Sequence, residues 1–72
     1  MEDFPIRTYT KKELALRYFP DSTPHTAVNH LIRWIQRNKG LTAELEKLGY
    51  IRSQREFYPR QVTAIIDHLG EP

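Results

Sequence analysis

His25, Thr26, Asn29, Arg33 and Arg37 follow one another at steps of one, three, four and four residues. On an α-helix those steps draw one stripe. Every member is a hydrogen-bonding type. Arg suits phosphates and guanine edges, Asn suits adenine, and Thr and His serve either. His30 and Gln36 flank the stripe, and Arg52, Arg55 and Arg60 follow later in the chain. The chemistry this set offers is recognition of double-stranded DNA. Arg33, Arg37, Arg52 and Arg55 are the expected phosphate contacts, and His25 and Asn29 lie nearest the bases. Thr26 and Arg60 complete the candidate set. The plainer reading is that any amphipathic helix has a polar side, and such a stripe is then only solvated.

Catalytic chemistry finds little to work with. There is no Cys, hence no thiol nucleophile and no disulfide. A Gly-rich phosphate loop and a His-Glu-x-x-His spacing are both missing. His25 and His30 stand five apart, which puts them on different helix faces and argues against a metal pair. The carboxylates of Glu13, Glu44, Glu46 and Glu56 fall on a cap, on exposed positions or in a loop. We expect no enzyme activity, no cofactor, no metal and no small-molecule substrate.

The chain has 72 residues, enough for one domain over residues 1–72 with one small core. Its net charge is +2, and the charges are unevenly placed. Residues 1–40 carry +3, residues 41–51 carry −1, residues 52–60 carry +2 and residues 61–72 carry −2. No run approaches the roughly 18 apolar residues of a membrane span. The acidic start, Met1-Glu2-Asp3-Phe4-Pro5, lacks the basic and apolar regions of a signal peptide. A cytoplasmic protein with no membrane partner is expected.

These residues must be positioned by helices. Residues 4–9 look extended, with Pro5 steering Phe4 away from helix and Phe4 and Ile6 on one side of a strand. Thr10-Lys11-Lys12-Glu13 is a capping box that opens helix 1. Its apolar face is Leu14, Ala15, Tyr18 and Phe19, and Pro20 stops it. Thr23 caps helix 2, and Pro24 takes the first helical position. Helix 2 is expected to reach about Asn38 and end before Gly40, with Ala27, Val28, Leu31, Trp34 and Ile35 as its apolar stripe. A short helix 3 is expected over about Thr42–Leu48, with Leu41, Leu45 and Leu48 inward and Gly49 at its left-handed end. Residues 50–57 read as a loop or a short hairpin. Helix 4 opens at Pro59, ends before Gly70 and buries Val62, Ile65, Ile66 and Leu69.

The expected fold is mainly α: a small three- or four-helix domain with at most a short β-hairpin or wing. Helix 1, a turn and the longer helix 2 form a helix-turn-helix-like core. In that motif the second helix enters the major groove. The turn is longer than usual, and Phe19 stands where the motif often has Gly. The competing reading is a protein-interaction or homodimerisation module using Trp34, Tyr50 and Phe57. Within it, Trp34 on the apolar stripe suits core packing better than a partner contact. Tyr9, Tyr18, Tyr50 and Tyr58 could stack on bases, but most of them are expected to half-bury their rings at the core's edge. His68 near the end of helix 4 suits the helix dipole.

Two resemblances follow from these residues. Glu13-Leu14-Ala15, the basic helix 2 and Phe57-Tyr58-Pro59-Arg60-Gln61-Val62 resemble excisionase-like and MerR-like winged helix-turn-helix domains. That likeness implies a DNA-binding role, with the Arg52–Arg55 loop as the wing. Over nearly the whole chain, the sequence is similar to a family of short uncharacterised bacterial proteins, a domain of unknown function. The shared stretches are Ile6-Arg7-Thr8-Tyr9, Lys12-Glu13-Leu14-Ala15, Tyr18-Phe19-Pro20, Ala27 to Ile35, Leu48-Gly49-Tyr50, Phe57 to Val62 and Leu69 to Pro72. Many members carry Thr at the position of Tyr58, a better helix cap. This second resemblance implies fold boundaries and no activity.

Overall fold

The computed structural model describes residues 4–72, so the acidic start at Met1–Asp3 lies outside it. Along the chain come β1 (Tyr9–Thr10), α1 (Lys11–Tyr18), α2 (Pro24–Arg37), α3 (Lys39–Lys47), β2 (Glu56–Phe57) and α4 (Pro59–Leu69). The protein is thus a small, mainly helical domain with one two-stranded antiparallel element.

Local chemistry sets the helix ends. The Thr10 hydroxyl accepts from the Glu13 amide, and the Glu13 carboxylate accepts from the Thr10 amide, both at 3.0 Å. This reciprocal pair satisfies two free N–H groups of α1. Thr23 accepts from the Thr26 amide at 3.3 Å to start α2, with Pro24 at its first position. α2 ends before Gly40, as expected, and it is the start of α3 that needs correction. Asn38 closes α2 with its backbone N–H and opens α3 with its side chain, which accepts from the Leu41 amide at 2.9 Å. Because one Asn serves both ends, Gly40 falls inside α3, which starts three residues earlier than expected. Thr42 seals the corner by donating to the Ile35 carbonyl at 2.8 Å. Gly49 follows α3 at a φ of +84°, which a side chain would strain.

Leu14 and Ala15 from α1 pack on Ala27, Leu31 and Ile35 from α2, with Leu41, Leu45, Val62 and Ile65 completing the core. Val28, Tyr18, Phe19, Leu48, Ile66 and Leu69 pack against it while partly exposed. The strand pair is non-local. Tyr9 stands opposite Phe57 and Thr10 opposite Glu56, so segments remote in sequence meet over the core. Residues 50–55 are a loop, and β2 pairs with the start of the chain, not with a neighbour.

Three aromatic placements need correction. Tyr9 is fully buried, not at the rim, because β1 carries its ring inward and its hydroxyl donates to the Pro5 carbonyl at 2.7 Å. Phe57 is fully buried opposite it, so it cannot belong to an interaction surface. Trp34, expected in the core, is 40% exposed. At about 100° per residue, the buried direction of α2 is centred on Leu31, and Trp34 lies some 60° to one side of it. The strand also proves shorter than residues 4–9. Phe4 stacks on Tyr9 at 5.2 Å while Ile6 is exposed, so the two do not share a face.

Candidate nucleic-acid interface

The outward direction of α2 lies opposite Leu31, between Asn29 and Arg33 on the same wheel. His25, Thr26, Asn29, Arg33 and Arg37 are all exposed. The Asn29 amide nitrogen lies 3.3 Å from His25 Nε2. With that ring nitrogen unprotonated, it accepts one amide N–H. The other N–H and the carbonyl oxygen of Asn29 are then left for a ligand.

The loop after α3 comes to the side of α2. The Gln54 amide donates to the Ile51 carbonyl at 3.1 Å, a turn whose tip is Arg52 and Ser53. Two connections hold this turn to the start of α1. The Lys11 amide donates to the Arg55 carbonyl at 3.0 Å, and the Lys11 ammonium donates to the Arg52 carbonyl at 2.8 Å. The same ammonium lies 5.2 Å from the centre of the Tyr50 ring, a cation–π distance.

Two adjoining grooves result. One, of about 500 Å³, runs between Lys11–Lys12 and the Arg52–Arg55 loop, with Val28 in its wall. The other, of about 440 Å³, runs between Asn29, Arg33 and Gln36 of α2 and Arg52. They share Lys11, Val28 and Arg52, and among the described residues neither has a carboxylate in its wall. Among the described residues, the ion pairs are Arg7–Glu13 at 3.8 Å and His68–Glu44 at 3.0 Å. Lys12, Arg33, Arg52 and Arg55 take part in neither. The acid of α1, Glu13, is held in the capping box. The Thr10 backbone N–H holds its carboxyl below the usual range, helped by Arg7 and Arg17.

Of the residues singled out from the sequence, Asn29, Arg33, Arg52 and Arg55 line these grooves, and His25 joins through Asn29. Thr26 sits in the first turn of α2, where its hydroxyl meets that of Thr23 at 3.0 Å. Two candidates lie elsewhere. Arg37 points to the other flank of α2, lining a shallow hollow with Trp34, Lys39 and Leu69. Arg60 is exposed on α4 and lines neither groove.

Sequence reasoning passed over Lys11, Lys12, Gln54 and Gln61 as site residues, and Gln36, which it set beside the stripe, lines the groove. The two lysines carried a signal, since cations in the first turn of a helix oppose its dipole. Gln61 carried another, standing three residues after the Tyr58 cap where a capping-box Gln belongs. It is 1% exposed, and its side-chain oxygen accepts from the Tyr58 amide at 3.0 Å, which serves the helix where the Tyr hydroxyl does not.

A family model described as a domain of unknown function (DUF4248) matches residues 5–72, and the chain belongs to that family. No curated protein and no solved structure matches the chain.

Proposed function

We propose that this DUF4248 member is a non-catalytic module that binds double-stranded DNA in the manner of a winged helix-turn-helix. In this reading α2 enters the major groove, and the Ile51–Arg55 loop rests on the flanking backbone. The observation that carries it is the pair of adjoining grooves bordered by Lys12, Arg33, Arg52 and Arg55, with no carboxylate among the described residues in either wall. Like charges gathered without counter-charges repel one another, and that cost is relieved when phosphates arrive.

The dimensions agree. α2 has 14 residues, a rod about 21 Å long at 1.5 Å per residue, and a major groove about 12 Å wide admits one. Asn29 offers a donor and an acceptor toward a base edge, the pairing Asn makes with adenine. Arg33 sits one turn further along the same stripe. The reading carries a cytoplasmic location with it. Titration of a labelled mixed-sequence duplex at low salt tests it. Saturable binding that weakens as salt rises is expected, and no binding with folded protein in excess would sink it.

A second reading rests on the other flank of α2. Trp34 is 40% exposed and packs edge-on against Phe19 at 4.7 Å and Tyr18 at 6.2 Å. Such a half-open aromatic group suits a protein partner or a second copy of the chain. Sedimentation at rising concentration tests the self-association form, and a strict monomer at every concentration removes it.

A further inference from the structure

The arginines of the loop gain their value from where the loop is held, and beside the two Lys11 bonds one further side chain braces it. The Gln54 side chain makes three hydrogen bonds. Its oxygen accepts from the Ile51 amide at 3.1 Å, while its nitrogen donates to the Glu56 carbonyl and to the Gln61 side-chain oxygen at 2.7 Å. The Gln54 backbone amide closes the same turn onto the Ile51 carbonyl. Gln61 in turn is fixed at the base of α4 and donates to the Leu48 carbonyl at 3.3 Å. A chain of amides thus runs from the end of α3 through the buried Gln61 to the turn that carries Arg52 and Arg55.

We infer that Gln54 is a positioning residue for nucleic-acid binding, fixing Arg52 and Arg55 at the edge of the α2 groove before any ligand arrives. Two long cations on a free loop would have to be ordered on binding. A loop already ordered avoids that entropic cost. This inference rests on the DNA-binding reading, but its first half concerns the free protein and is separable from it. Gln61 is the poorer test residue, because its burial couples it to folding. Gln54 is only half-buried, and Gln54→Ala leaves Gln61 with its Tyr58 and Leu48 partners.

The experiment compares wild type, Gln54→Ala, Arg52→Ala/Arg55→Ala and the triple variant. Amide hydrogen exchange of the free proteins is read at Lys11, whose amide donates to the Arg55 carbonyl without involving the Gln54 side chain, and duplex-DNA binding is read as a function of salt. Gln54→Ala should exchange faster at the Lys11 amide while its melting curve stays close to wild type. Its salt slope should lose roughly 0.9 to 1.8, the share of one or two phosphates. In the Arg52→Ala/Arg55→Ala background, Gln54→Ala should add no further loss, because it acts through those arginines. Unchanged Lys11 exchange in Gln54→Ala would overturn the inference. So would faster exchange with affinity and slope equal to wild type, or a full additional loss in the triple variant. A wild type that binds no DNA would defeat the DNA reading itself. The exchange comparison would then still decide whether Gln54 orders the loop.

Discussion

The two flanks of α2 differ in kind. One flank, with Asn29, Arg33 and Gln36, faces the Arg52 loop across a groove and carries no aromatic ring. The other flank, with His30 and Trp34, packs on Phe19 and Tyr18 of the α1 end. The same helix therefore serves two purposes. Its aromatic flank locks α1 against α2, and its cationic flank is left open. A residue that matters for stability and one that matters for binding can stand one position apart, as Trp34 and Arg33 do. Substitutions on the two flanks should separate folding from binding.

The largest effect is expected at the ridge between the flanks. Leu31 is fully buried, and Leu31→Ala should cost about 2–5 kcal/mol in a denaturant titration. DNA binding should disappear together with the fold, since both flanks depend on that ridge. Trp34→Ala comes next. The ring is half-open, so about 1–3 kcal/mol is expected, less than for a core Trp. Its DNA affinity at a temperature where it is folded should equal wild type. A loss of affinity there would merge the flanks and break the comparison.

Tyr18→Phe should cost less, about 0.5–1.5 kcal/mol, by removing the 2.6 Å hydrogen bond to the Gly70 carbonyl. It should also remove a pH dependence. Burial, with Glu71 adding, pushes the Tyr18 phenol from its ordinary value of 10.0 up to about 12. Folding therefore favours the protonated ring. That contribution is whole below about pH 10 and is lost as pH rises from there through about 12. Thermal melts across that range should fall for wild type and fall less for Tyr18→Phe. The smallest stability effect is at Arg33, which is exposed. Arg33→Ala should shift stability by under about 0.5 kcal/mol. A melt much below wild type would place Arg33 in the packing and reverse the assignment of the flanks.

Much of the fold is legible from local chemistry. Thr10, Glu13, Thr23 and Pro24 act within three residues of themselves, so their spacing states their role. The buried line of α2 is legible as well, because Ala27, Leu31 and Ile35 repeat at four residues. The margins of that stripe are not legible. Val28 and Trp34 lie about equally far from Leu31 on the wheel, and what covers each depends on elements remote in sequence. Tyr9 and Phe57 were hidden for the same reason, since their pairing joins segments 48 residues apart. Asn38 was hidden by Gly40, the more familiar helix terminator. Within the candidate site, residue type pointed to Asn29, Arg33, Arg52 and Arg55. Only the folded chain separates them from Arg37 and Arg60, and only it brings in Lys11, Lys12 and Gln54.

The central claim is that the open flank of α2 and the Arg52 loop bind DNA as one surface. Its most direct test is the slope of log K against log salt for a mixed duplex, with wild type, Arg33→Ala/Arg52→Ala/Arg55→Ala and Arg37→Ala side by side. Of the five groove cations, Lys11 spends its ammonium on the Arg52 carbonyl; the other four, Lys12, Arg33, Arg52 and Arg55, predict a wild-type slope near roughly −3.6 at about −0.9 per phosphate. The triple variant should fall to about −0.9 by the same rule, while Arg37→Ala should keep the wild-type slope. A triple variant whose slope matches wild type, or an Arg37→Ala protein whose slope loses about 0.9, the share of one phosphate, would contradict the account.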